Sequence, residues 1–142
     1  MSTAFDLVTL VEQVVTELYL GQFLILDYDS GDPGNEPYAQ LAVESDGYYL
    51  EVVSEHNLPP ALWPLETRWL RTRGWAAPDE STDNWWRSSS DARLAALALV
   101  TALTVARACR EPDRFSVSTG TFPVPPDGGE PLFATSDRLA AA

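Results

Sequence analysis

Apolar and polar positions alternate most clearly between Tyr38 and Val53. Two runs of β-formers, YAQLAVE and YYLEVV, flank Asp46-Gly47, a dipeptide that readily supplies the positive φ values of a tight hairpin turn. With Ser45 set opposite Tyr48, Leu41, Val43, Leu50 and Val52 fall on one face, and Tyr38, Gln40, Glu44, Tyr49, Glu51 and Val53 on the other. The first face requires a core. The second mixes tyrosines with carboxylates and an amide, a composition that suits either water or a ligand.

On either side the period lengthens to that of helices. Leu7, Val11, Val14 and Leu18 recur at helical spacing, widened by Val8, Val15 and Tyr19, with Thr3 as the cap and Gly21 as the stop. Phe23 to Leu26 are apolar in succession, as in a strand covered on both faces, and the turn-rich loop Ser30 to Pro37 leads into the hairpin. Beyond Pro59-Pro60 the pattern predicts a short helix from Leu65 to Arg73 closed by Gly74, then a brief strand at Asn84 to Arg87. Ser89 or Ser90 caps a long helix reaching Arg110. Its stretch from Leu94 to Ala106 carries no charge, so it is to be covered on more than one side, by the first helix and the sheet or by a second copy of the chain. After Glu111, prolines and glycines leave room only for short strands, Phe115 to Thr121 among them. The expected fold is α+β: an antiparallel β-sheet meander flanked by an N-terminal helix, a short middle helix and a long C-terminal helix. It forms one domain over residues 1–115, followed by a Pro/Gly-rich extension over 116–142.

Composition narrows the function. The 142 residues are 45% hydrophobic, enough for one domain with its own core. The net charge of -12, with 21 acidic residues against 9 basic ones, all arginine, is wrong for phosphate backbones, so nucleic acid is not an expected partner. The opening residues lack the basic segment of a signal peptide, and no apolar run approaches the roughly 18 residues of a membrane span, so the expected location is the cytoplasm. One cysteine, Cys109, and one histidine, His56, exclude an internal disulfide and a Cys/His zinc site. The acidic loop holding Asp27, Asp29, Asp32 and Glu36 lacks the glycine and glutamate of a calcium loop, since Asp32 and Tyr38 stand at those positions, and it is read as a solvated turn. No metal or other cofactor is expected. Neither is catalysis, because no serine sits in a G-x-S-x-G context and His56 has no nucleophile beside it apart from Ser54.

Five tryptophans, Trp63, Trp69, Trp75, Trp85 and Trp86, crowd into one segment. They either hold the short helix and loops onto the sheet, line a groove for a peptide, or stack on a sugar.

Taken jointly, YAQLAVESDGYYLEVVSEHNLPP, Leu70 with Gly74-Trp75, Pro78, Asn84-Trp85 and the long helix ending near Pro112 resemble the actinobacterial peptide-binding chaperone-like domains related to type III secretion chaperones and to YbjN, over residues 3–115. The resemblance implies a helix, an antiparallel meander and further helices, frequent homodimers, and the binding of a client peptide without catalysis. The expected peptide-binding residues are Tyr38, Gln40, Tyr49, Glu51 and Val53 on the outer hairpin face, together with Trp85. On that face the tyrosines supply contact area, Gln40 supplies amide hydrogen bonds, and Glu44 and Glu51 favour basic clients. The alternatives are a charge-driven immunity or structural interaction module and, further off, a small hydrolase using His56 with nearby carboxylates.

Overall fold

In the computed structural model, which describes residues 4–123, helix α1 spans Ala4–Thr16 and buries Leu7, Val8, Val11 and Val15. The expected cap, Thr3, lies outside the described residues. The helix stops short of Gly21 because its last turn tightens: Thr16 Oγ1 donates to the Gln13 carbonyl (2.8 Å), and the Glu17 and Leu18 amides reach back three residues (3.1 Å each). Gly21, at φ +88°, instead turns the chain into β1, Gln22–Tyr28.

Strands β2 (Tyr38–Glu44) and β3 (Gly47–Val52) form the expected hairpin, with a different turn. Glu44 pairs with Gly47 and Val43 with Tyr48, so the two loop residues are Ser45 and Asp46. Both strands move by one residue relative to the expected register, and every side chain therefore keeps its face. Gly47 sits at φ +150°, and a Cβ there would lie 2.5 Å from the Ser89 carbonyl oxygen; only glycine lets the two backbones come this close.

Strand β4, Trp85–Ser89, pairs with β3, and β5, Phe115–Thr121, pairs with β1 along its whole length, giving an antiparallel sheet in the order β4-β3-β2-β1-β5. The architecture is α+β, as expected. The boundary placed after residue 115 falls where an edge strand begins, and the sheet continues through Thr121.

Helix α2 is confined to Thr67–Thr72 and closed by Gly74 at φ +88°. Helix α3, Ala92–Thr101, is capped by Asp91, whose Oδ2 accepts from the Leu94 amide at 2.8 Å; Ser89 is already committed to β4. It runs on as a π-helical segment, Ala102–Ala106, and ends at Arg107, where Ala108 adopts φ +52°. Ala95, Ala96, Ala102 and Ala106 are buried with Leu99, Val100 and Leu103 in the main core, alongside Leu7, Val11, Leu24, Leu41, Leu50 and Val52 from α1 and the sheet. A 2.9 Å ion pair from Arg93 to Glu12 links α3 to α1 at the surface. Of the two covers expected for this charge-free run, the first helix and the sheet supply one for these alanines. A smaller core on the opposite face of the sheet joins Ile25, Tyr38, Val53 and Leu58. Among the described residues, no helix is long and apolar enough to cross a membrane.

Candidate functional site

The outer hairpin face brings together most of the residues singled out from the sequence, but as a buried polar network. Glu51, 1% exposed, receives hydrogen bonds from Gln40 Nε2 (3.0 Å), Asn84 Nδ2 (3.0 Å) and Thr82 Oγ1 (3.2 Å). Asn84 Nδ2 also reaches the Tyr38 hydroxyl (3.3 Å), while its Oδ1 accepts from the Ser54 amide (3.1 Å) and Asn57 Nδ2 (3.0 Å). Three donors on one buried carboxylate replace the water it gave up, and no cation is needed beside it.

Tyr38 is only 4% exposed, and Gln40 and Val53 are buried too. The expectation that this face is reachable is therefore corrected. Alternation along a strand assigns a side chain to a face and is silent on what roofs it. Here the roof comes from Leu58 and Trp63, which pack on Ile25, Tyr38 and Val53, and from Thr82 and Asn84 in the segment before β4. Tyr49 is half-buried and stacks on Trp86, with ring centroids 6.1 Å apart. Burial, reinforced by the charge of neighbouring Glu51, pushes its phenol above the ordinary range. Trp85 lies on the other side of the sheet. Paired with Val52, it points into the helical core, and its indole donates to Glu55 Oε1 at 3.0 Å. The tryptophan that shares a face with Tyr49 is Trp86.

Arg107, missed in the sequence, is fully buried at the end of the π-helical segment. Its guanidinium donates to the carbonyls of Val53 (2.8 and 3.2 Å), Leu58 (2.9 Å), Trp63 (2.9 Å) and Pro64 (3.3 Å), gathering the loop between β3 and α2. The Trp63 indole returns a bond to the Arg107 carbonyl. Burial draws the guanidinium pKa down to about 10. The signal in the sequence was the arginine that directly follows the charge-free run Leu94 to Ala106.

A second feature lies on the helical side, at the β4 edge. A groove of about 620 Å³ opens between α2, β4 and α3, with Trp69 and Trp75 on one wall and Leu94, Leu97 and Val105 on the other. The three aliphatic residues are 60%, 44% and 46% exposed, a stripe along α3 and the π-helical segment that the other described residues leave uncovered. Arginines stack on the tryptophans of this region: Arg73 over Trp69 (5.3 Å), Arg87 over Trp75 (5.9 Å) and Arg71 over Trp85 (5.4 Å).

The residues weighed for catalysis or metal binding are employed otherwise. The Ser54 hydroxyl donates to the Asp83 carbonyl, and His56 is exposed. Cys109 is buried, which pushes its thiol up to about 12, far from the reactive thiolate range. Asp29, Asp32 and Glu36 bind groups of their own loop: the Gly31 amide, Asn35 Nδ2 and the Gly34 amide. Among the described residues, no three His, Cys, Asp or Glu side chains are placed to hold a metal ion.

An antiparallel sheet covered by helices on one face, locked by a polar network on the other, and carrying an open aromatic–aliphatic groove at its edge defines a small α+β binding domain. Residues 7–121 match the family described as T3SS (YopN, CesT) and YbjN peptide-binding chaperone 3, and the chain belongs to that family. No curated protein and no solved structure matches it.

Proposed function

We propose that this chain is a non-enzymatic chaperone or adaptor of the cytoplasm that holds a peptide segment of a client protein in the groove between α2, β4 and α3. The observation that carries this reading is the exposed stripe of Leu94, Leu97 and Val105 facing Trp69 across an open groove. Aromatic anchors beside uncovered aliphatic residues are the composition of a binding-site centre. The roofed face of Tyr38, Gln40, Glu51 and Val53 supports it by fixing β3 and β4 in place.

Peptide arrays probed with the full chain test the assignment. Leu94→Glu and Leu97→Glu are expected to lose the peptides that the parent retains, whereas Tyr19→Glu, on a side chain 76% exposed and outside the groove, retains them. Unchanged peptide retention by both groove variants would remove the groove from consideration. Light scattering of parent and Leu97→Glu at matched concentrations separates a homodimer formed through the same stripe.

A further inference from the structure

The groove is chemically lopsided in a way the whole chain is not. Against a net charge of -12, its lining contains two arginines, Arg73 and Arg87, and no carboxylate. Arg68 and Arg71 project from the same short helix as Trp69. Two ion pairs, Arg93–Glu12 and Arg114–Glu111, lie away from the groove. The nearest carboxylate along the chain, Asp91, is occupied in capping α3. Arg73 lies over Trp69 and Arg87 over Trp75, positions that hold a guanidinium by its face and leave its edge for an acceptor. Arg87 Nη1 uses the Arg73 carbonyl, but Arg87 Nε and the Trp75 indole nitrogen are buried with no acceptor among the described residues. The charged groups of the lining are thus all donors, with no carboxylate among them.

From this we infer that the occupant is an acidic–apolar segment: aliphatic or aromatic residues on Leu94, Leu97 and Val105, with a flanking Asp or Glu side chain directed at Arg73 and Arg87. This rests on the groove being the peptide site. It reverses the expectation of basic clients drawn from Glu44 and Glu51, because Glu51 is sealed in the network. Charge complementarity makes the selection, since a basic segment would meet uncompensated guanidinium groups while an acidic one would neutralise them.

The test uses the full chain and three fluorescent peptides that share their apolar residues and differ only in carrying Glu, Gln or Lys at the flanks. The Glu peptide is expected to bind about tenfold more tightly than the Gln peptide, with the Lys peptide weakest and the difference shrinking as salt is added. Arg73→Gln should remove most of the difference, and Arg73→Glu should turn the preference toward the Lys peptide. Arg73 carries the decision because it is exposed, whereas Arg87 also holds the Arg73 carbonyl. Equal binding of all three peptides, or an acidic preference that survives Arg73→Glu, overturns the charge inference while leaving the groove intact. Loss of all three in Leu97→Glu confirms the site. No binding by the parent, or a homodimer that Leu97→Glu converts to monomer, overturns both readings.

Discussion

Asn84 Nδ2 donates to Glu51 Oε1 at 3.0 Å across 33 residues of sequence, and the same side chain accepts the Ser54 amide through Oδ1. One amide thereby joins the strand, the loop that leaves it and the segment that returns to the sheet edge. Asn84→Ala removes one of the three donors on the buried Glu51 carboxylate and takes the acceptor from the buried Ser54 amide. It is expected to lower the unfolding free energy by about 2–4 kcal/mol, read from urea denaturation.

Gly47 and Gly31 both have positive φ but differ in surroundings. Alanine at Gly47 would drive its Cβ to 2.5 Å from the Ser89 carbonyl oxygen, whereas a Cβ at Gly31 meets nothing within 4 Å. Gly31→Ala is expected to cost about 1–2 kcal/mol from backbone strain alone. Gly47→Ala is expected to cost about 3 kcal/mol or more, because β4 must move away. Paired thermal melts give the comparison.

Arg107→Lys keeps the charge and loses the fork. An ammonium has three donors at one point, so it cannot reach carbonyls spread from Val53 to Pro64 as the guanidinium does. The expected loss is about 2–4 kcal/mol. Faster amide exchange should be confined to the loop between Val53 and Trp63.

Cys109 provides a test in pH. Burial raises its thiol from 9.0 to about 12, so the folded chain holds this proton more tightly than the unfolded one. The resulting stabilisation is complete below pH 9 and is lost as pH rises toward 12. The stability difference between the parent and Cys109→Ala should therefore be flat below pH 9 and shrink above it. At pH 8 the folded chain should resist iodoacetamide that labels the chain readily in urea.

The hairpin was legible because its signal is local. Alternation and a turn dipeptide sufficed to assign faces, and a turn centred one residue earlier left those assignments intact. Trp85 and Trp86 were not separable in the same way. Which of two adjacent tryptophans faces the helices depends on the pairing of Val52 with Trp85, a contact across the sheet. The burial of Tyr38, Gln40 and Glu51 was equally invisible, since their cover comes from Leu58 in the loop after β3 and from Thr82 and Asn84, 31 and 33 residues beyond Glu51. The groove was hidden for the opposite reason. Leu94, Leu97 and Val105 stand in a run without charge, and only the packing of α3 against α1 shows which members stay uncovered.

Because β5 is the last sheet strand among the described residues and pairs with β1 from Tyr28–Phe115 to Gln22–Thr121, synthesis leaves a gap in time. Until residue 121 clears the ribosome, the Phe23-Leu24-Ile25-Leu26 stretch presents one unpaired row of backbone donors and acceptors to the crowded cell. A member of a peptide-binding chaperone family thus offers, for that interval, an open strand edge of its own.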